Sequence, residues 1–255
     1  MKSNSRFELK YRLSHSEYFK IKNAIIKHMK KDKYTEISKN NKYLVRSIYF
    51  DNYKFKNYYE KVQGDYSRIK IRVRTYTKNP NKNTKLSVEL KTRSGELMEK
   101  FTTFINYQEY LYFINHQNFM QIDNKVLTEV ARLSYIHNFK PVVVTEYWRE
   151  GYESRDKRRL RMTFDHDIKF QKTSDLFDQK KIYRKRIKND IIFEIKYTGK
   201  LPYWVSNLIR EYGLKRLANS KYCQAIEAHH YDMITAVERK SLLKDFDIFK
   251  QREIV

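Results

Sequence analysis

At 255 residues, 40% of them hydrophobic and with only 5 Gly and 3 Pro, the chain has the size and apolar content of one large domain and lacks the composition of a flexible linker. Its single cysteine, Cys223, excludes a disulfide framework, and no run forms a signal-peptide core or approaches the ~18 apolar residues of a transmembrane helix, so a soluble, cytoplasmic protein is expected. The excess of 54 Lys+Arg over 30 Asp+Glu gives +24 and predicts an acidic partner, whether nucleic acid, a membrane surface or a phosphate polymer.

From the N-terminus, Phe7-Glu8-Leu9-Lys10-Tyr11 alternates apolar and charged residues and predicts a strand over about 5–12. Ser14 and Glu17 have capping-box spacing and open a helix to about Met29, with Tyr18, Ile21, Ile25 and Met29 along one stripe. A strand is expected over about 42–51 and a short helix over 54–62. Long strands follow at about 66–77, 84–93 and 97–105, and the break Thr92-Arg93-Ser94-Gly95-Glu96 reads as a hairpin turn between the last two. Helices are expected over 107–115 and 124–136, then strands from Pro141 to about 150 and over 158–165, 181–187 and 190–198. Pro202 suits the first turn of a helix striped by Val205, Leu208, Ile209 and Tyr212, and Gly213 suits its stop. Residues 220–250 read as mostly helical. The expected division is a domain over 1–230 and a C-terminal, mostly helical extension over 231–255.

The strands repeat one pattern. In Arg68-Ile69-Lys70-Ile71-Arg72-Val73-Arg74 every even position is basic and every odd one aliphatic. Leu86-Ser87-Val88-Glu89-Leu90-Lys91, Arg159-Leu160-Arg161-Met162-Thr163-Phe164 and Phe193-Glu194-Ile195-Lys196-Tyr197 alternate in the same way. Successive side chains point to opposite faces of a strand, so each segment separates its charges from its apolar residues. One such strand alone reads as part of an open sheet with a solvated face. Repeated across the set, with Arg and Lys at central positions, the pattern predicts an α+β fold: a closed eight-stranded antiparallel β-barrel, helices packed outside, charges lining the lumen. Eight lumen cations on these strands (Lys10, Lys70, Arg72, Arg74, Lys91, Arg149, Arg161 and Lys196) would then face three acids, Glu8, Glu89 and Glu194. Two cations ~6 Å apart at an effective dielectric of ~20 repel by roughly 3 kcal/mol. Such a lumen is expected to destabilise the empty protein and to suit an anion.

Eight segments in order carry a family resemblance: Phe7-Glu8-Leu9-Lys10-Tyr11, Ser47-Ile48-Tyr49-Phe50-Asp51, Lys70-Ile71-Arg72-Val73-Arg74-Thr75-Tyr76, Val88-Glu89-Leu90-Lys91, Tyr147-Trp148-Arg149, Arg161-Met162-Thr163-Phe164-Asp165, Phe193-Glu194-Ile195-Lys196 and Ser220-Lys221-Tyr222. Over about residues 5–228 the chain resembles the triphosphate tunnel metalloenzyme (CYTH-like) superfamily. The closest likeness is to the catalytic domain of the vacuolar transporter chaperone (VTC) polyphosphate polymerases. The resemblance implies a tunnel that holds a chain of phosphates, within a catalytic domain over 1–230. It implies an enzyme that moves the γ-phosphate of ATP onto a growing polyphosphate, with Mn²⁺ or Mg²⁺ as cofactor. Carried over position by position, it implies Arg72, Arg74, Lys91, Arg149 and Arg161 as catalytic phosphate ligands and Lys10 and Lys221 as substrate-binding residues. Lys70 and Lys196 join them from the same faces, and Glu194 is implied as the catalytic metal ligand. The implied partners are ATP and polyphosphate or triphosphate, with no specific nucleic acid. Eukaryotic relatives carry a regulatory domain and membrane helices without counterpart in this sequence, which leaves a membrane partner protein and the oligomeric state open.

Three departures bear on the resemblance. The related hydrolases open with Glu-x-Glu-x-Lys, whereas this chain has only Glu8-x-Lys10, which favours the polymerase branch. The basic residue usual on the strand after the hairpin falls at Met98 or Glu99, with Lys100 able to replace it only if the register shifts. A lysine often found three residues before the position of Lys221 is Ala218 here, with Arg216 the nearest substitute.

The residue types suit the implied chemistry. Phosphoryl transfer asks a protein chiefly for in-line positioning and for positive charge where negative charge develops. Arginine grips two phosphate oxygens and stays charged, and a glutamate is a hard ligand for Mg²⁺ or Mn²⁺. Glu8 and Glu89 are expected to position lysines, Cys223 to sit in the core, His229-His230 to lie on the surface, and Tyr11, Tyr76 and Tyr222 to offer hydroxyls at the tunnel rim. Two other functions fit the pattern: an inorganic or nucleoside triphosphatase using the same tunnel, and a noncatalytic polyanion or nucleic-acid binding protein.

Overall fold

A computed structural model describes residues 6–95, 97–120, 123–156, 159–179, 183–185 and 191–229. In chain order the elements are β1 (Arg6–Leu13), α1 (His15–Ile26), β2 (Met29–Lys31), α2 (Lys33–Ile37), β3 (Tyr43–Asp51), α3 (Lys56–Gln63), β4 (Ser67–Thr75), β5 (Leu86–Ser94) and β6 (Leu97–Ile105). There follow α4 (Tyr107–His116), α5 (Lys125–His137), β7 (Lys140–Ser154), β8 (Leu160–Lys172), β9 (Ile191–Thr198), α6 (Tyr203–Glu211) and α7 (Lys221–His229). The capping box expected at Ser14 forms: the Glu17 N–H donates to Ser14 Oγ at 3.2 Å and the Ser14 N–H to Glu17 Oε2 at 2.7 Å. The helix behind it stops at Ile26, and Met29 enters β2 instead. Neither β2 nor α2 is legible in the sequence, because three and five residues are too few to show a period. The strand expected at 181–187 lies mostly outside the described residues, although Arg184 bridges Phe170. The extension at 231–255 lies wholly outside them.

The strands form one antiparallel sheet in the order β1-β9-β8-β7-β3-β4-β5-β6, with β2 added beside β7. The antiparallel α+β architecture agrees with expectation, but the backbone does not close the barrel: among the described residues no ladder joins β1 to β6. The free edge of β1 has another partner. Tyr11 bridges Arg216, and the Leu217 N–H donates to the Lys10 carbonyl at 2.8 Å. The segment leading into α7 thus satisfies backbone groups that closure would have given to β6.

The alternating residues sort by face. Ile48, Phe50, Ile71, Val73, Val88 and Leu90 pack beneath Tyr110 and Phe113 of α4 and Leu127, Val130 and Leu133 of α5. Met162, Phe164, Phe193 and Ile195 pack beneath Tyr18, Ile21 and Ile25 of α1 and Val205 and Leu208 of α6. Each fully buried side chain of this kind contributes roughly 1.5–3 kcal/mol, which keeps the helices on that face. The covered face is not purely apolar: Arg46 is buried there, with Nη1 2.6 Å from Glu146 Oε2 and Nε donating to the Leu176 carbonyl at 2.5 Å.

α7 meets the opposite face. Its Tyr222, Cys223, Ala225 and Ile226 pack on Val45, Tyr49, Val143, Tyr147 and Ile192. Cys223 is therefore in the core, as expected. An irregularity between β7 and β8, where Asp167 has a φ of 50°, shifts the alternation of β8. Arg161, Thr163 and Asp165 take the charged face on one side of it, and Ile168 and Phe170 meet α7 on the other. No helix among the described residues is long and apolar enough to cross a membrane.

Candidate functional site

The register gathers the charges. Lys70 of β4 stands opposite Lys91 of β5, and Lys91 opposite Lys100 of β6. Arg72 stands opposite Glu89, and Tyr49 and Ser47 of β3 stand opposite Arg72 and Arg74. At the other end of the sheet order, Glu8 pairs with Lys196 and Lys10 with Glu194 across β1 and β9. Arg161 and Thr163 of β8 oppose Lys196 and Glu194, and Arg149 of β7 opposes Asp165. The ten basic and acidic site residues expected from the sequence all belong to this one face, with Lys221 supplied by α7.

Glu89 organises one half. Its Oε2 lies 2.7 Å from Arg72 Nη2 and 2.6 Å from Lys100 Nζ, and its Oε1 lies 3.5 Å from Arg74 Nη1. Burial opposes the carboxylate charge, but Arg72 and Arg74, followed by Lys100, hold Glu89 far below the ordinary carboxylate range. Arg72 also donates to Tyr49 Oη at 3.1 Å, and Arg74 Nε to Ser47 Oγ at 3.0 Å. Glu89 thus positions two arginines and Lys100 rather than Lys91. Lys100 needs no register shift: pairing Ser94 with Leu97 at the hairpin places it beside Lys91 on the charged face and puts Glu99 on the other. Arg216, by contrast, lies at the free edge of β1 with its side chain exposed.

Among the described residues, Lys70 and Lys91 have no carboxylate partner. Lys70 donates to Ser220 Oγ at 3.2 Å and lies over the Tyr222 ring, and burial lowers its pKa. Lys91 is half-buried without a hydrogen bond or ion pair among the described residues. Burial, reinforced by the charges of Arg72 and Lys196 against those of Glu8 and Glu89, pushes its pKa down to about 7.

Asp165 and Glu194 organise the other half. Arg149 grips Asp165 through two bonds, while Lys221 Nζ lies 2.5 Å from Asp165 Oδ2 and 3.1 Å from Glu194 Oε1. Glu194 also meets Lys196 at 2.7 Å, Arg149 at 3.6 Å and Lys10 at 3.8 Å. Burial opposes its charge, yet Lys196, Lys221, Lys10 and Arg149 hold its pKa well below the usual value. Glu8 lies 3.4 Å from Lys10 and 3.7 Å from Lys196. Asp165 was missed as a site residue in the sequence, although its spacing of two and four from Thr163 and Arg161 places all three on one face.

A divalent ion fits this donor set only in company with a ligand. Glu194 offers hard carboxylate oxygens, but among the described residues no three His, Cys, Asp or Glu side chains cluster closely enough to hold a metal. Mg²⁺ commonly accepts one or two carboxylates and takes its remaining oxygens from phosphate and water.

The expected surplus of cations is reduced rather than removed: once Lys100 is counted, ten cations among the described residues face five acids, Glu8, Glu89, Glu194, Asp165 and Asp32. Besides Asp165, Asp32 joins the acids: its Oδ2 lies 2.6 Å from Arg161 Nη2, which also donates to Tyr43 Oη at 3.1 Å. Asp32 caps α2 through the Thr35 N–H and sits against Gly151, where a Cβ would lie 1.9 Å from Asp32 Oδ2. Of the expected rim tyrosines, Tyr11 packs on Phe193 beneath the helices, and Tyr222 is buried with its hydroxyl on Asp51. Tyr76 alone is exposed, just past β4. His229 is tied to the Phe170 carbonyl at 3.0 Å.

Comparison with known proteins agrees with this architecture. The family model described as VTC domain matches residues 5–230. A candidate adenylate cyclase from Bacillus halodurans has a solved structure with a TM-score of 0.52 at 15% identity, covering 86% of this chain and 96% of that one. The likeness is one of fold alone. The PH1819 protein from Pyrococcus horikoshii OT3 gives a TM-score of 0.45 at 14% identity, covering 87% of this chain and 98% of that one. A search of curated proteins found no match.

Proposed function

Because the chain belongs to the VTC domain family, we propose that it is a metal-dependent polyphosphate polymerase that transfers the γ-phosphate of ATP to a growing polyphosphate. The catalytic unit in this reading is residues 1–230, and its charged face forms a tunnel around the phosphate chain. A terminal oxygen of the chain attacks the γ-phosphorus in line, the bond to the β,γ-bridging oxygen breaks, and ADP leaves. Arg72, Arg74 and Arg149 bear on the transferring group. Glu89 and Asp165 already hold them in place, so little reorganisation is needed as charge develops. Lys10, Lys70, Lys91, Lys100, Lys196 and Lys221 hold the remaining phosphates, and Arg161 meets the end nearest Asp32. Glu194 would hold Mn²⁺ or Mg²⁺ jointly with phosphate oxygens, and the ion would supply Lewis-acid neutralisation of the phosphoryl charge. No protein nucleophile is required.

Burial is the observation that carries this reading. Arg74 and Arg149, each 8% exposed, lie on one face of one sheet, and α7 brings Lys221, 9% exposed, against that face. A face built for duplex nucleic acid would present its cations to water and to a recognition element. Incubating the protein with ATP and Mn²⁺ or Mg²⁺ tests the proposal. Long polyphosphate with ADP is expected. Orthophosphate with ADP and no polymer would replace the reading with a triphosphatase. Salt-sensitive DNA binding without ATP consumption would replace it with a polyanion binder.

A further inference from the structure

We propose that Tyr34, Tyr43 and Tyr76 form a platform for a nucleobase at the mouth of the charged face, so that the site takes a nucleoside triphosphate with its base outside and its phosphates inward. This rests on the nucleotide-using reading above and names the part of that site that would distinguish ATP from a bare phosphate chain.

The three rings come from α2, the start of β3 and the residue after β4. Tyr34 and Tyr76 stack with centroids 5.9 Å apart and planes 11° apart, and Tyr43 lies 5.6 Å from Tyr34 and 6.0 Å from Tyr76. Two of them keep much of their surface in water, Tyr34 at 53% exposed and Tyr76 at 46%, while Tyr43 is half-buried and anchors them to the sheet. Aromatic faces held together but left half uncovered offer stacking area for another ring.

The platform adjoins the anion site directly. Tyr43 stands opposite Arg149 across β3 and β7, its hydroxyl accepts from Arg161, and Arg74 is two residues before Tyr76. It lies at the end of the face away from α7: Tyr43 begins β3, whereas Asp51 at the far end of β3 receives the Tyr222 hydroxyl. Charge decides what the mouth accepts. Asp32 offsets part of the Arg161 charge, so the mouth is less cationic than the interior of the face, and the neutral rings beside that ion pair suit an uncharged aromatic group. The Asp32 cap fixes the start of α2 and with it the position of Tyr34.

Calorimetric titration with ATP and, separately, with tripolyphosphate in Mg²⁺ tests the platform. The proteins are wild type, Tyr34→Ala, the Tyr34→Ala/Tyr76→Ala double variant and the Tyr34→Phe/Tyr76→Phe double variant. The alanine double variant should bind ATP roughly tenfold more weakly and tripolyphosphate as wild type does, while the phenylalanine variant keeps ATP affinity. Tyr34→Ala alone, at a ring more than half exposed, should show part of the same selective loss. Unchanged ATP binding in the alanine variants, or equal losses for both ligands, overturns the platform alone. Wild type that binds tripolyphosphate but not ATP overturns the nucleotide reading and the platform together.

Discussion

Arg149 and Asp165 face each other across β7 and β8 in a two-bond clamp, Nε to Oδ1 at 2.6 Å and Nη2 to Oδ2 at 2.8 Å. Asp165 is fully buried and also meets Lys221, so one carboxylate orients two cations that belong to different layers. Asp165→Asn removes that charge and leaves both cations to Glu194. It should destabilise the anion-free protein by about 3–5 kcal/mol, as expected for breaking a buried ion pair from one side. Urea unfolding measures the loss, and tripolyphosphate should recover part of it. A variant as stable as wild type would show that Asp165 does not hold the cluster.

Arg72 tests the balance of charge on the face. A lumen dominated by repulsion would gain stability or stay unchanged on losing an arginine. Arg72 instead pairs with the buried Glu89, so Arg72→Ala should lower stability by about 1–3 kcal/mol. Tripolyphosphate at ~100 times its Kd should add about 2.7 kcal/mol to wild type by mass action, and less to the variant at the same concentration. Thermal shifts at fixed ionic strength separate the two effects. An undiminished shift in Arg72→Ala would place the ligand elsewhere.

Lys91 gives the face a pH dependence near neutrality. Its pKa of about 7 in the free protein reflects burial first and then Arg72 and Lys196, with Glu8 and Glu89 opposing and Lys70 and Lys100 opposite it on the neighbouring strands. A bound polyanion favours the charged lysine, so binding should take up protons at pH 7–9, and affinity should fall as pH rises through 7. Because the folded pKa lies below the unfolded value, the sign for stability is the reverse. The unfolded chain binds the extra proton, and this group makes the anion-free protein more stable as pH rises from about 7 towards the ordinary lysine range. Titrations in buffers of different ionisation enthalpy count the protons, and Lys91→Met should abolish the pH-dependent part.

Glu194→Gln should lose most turnover and retain ATP and tripolyphosphate binding. It removes the hard anionic oxygens but leaves Arg72, Arg74 and Arg149 in place. The substitution also leaves Lys196 and Lys10 with less counter-charge, so its anion-free form should melt lower and gain more from tripolyphosphate than wild type does. Full activity of this variant at limiting metal would remove Glu194 from the metal site.

The sequence by itself determined which residues share a face. Alternation along β1, β4, β5, β8 and β9 assigned Lys10, Arg72, Lys91, Arg161 and Glu194 to the charged side, because the pleat fixes that assignment locally. It also marked Ile71, Val88 and Phe193 as core, since the same period places them beneath the helices. Which charges meet was decided only by tertiary structure. The hairpin register brought Lys100 to Glu89, and the insertion of α7 carried Lys221 to Asp165 and Glu194. The approach of α2 set Asp32 against Arg161, 129 residues away in sequence, and gathered Tyr34, Tyr43 and Tyr76. The single β1 edge occupied by Arg216 and Leu217, rather than by β6, was equally invisible. A period of two records the direction of a side chain relative to its own strand. Ion pairing depends on separations of a few ångströms between distant segments, and those are set by strand register and helix packing.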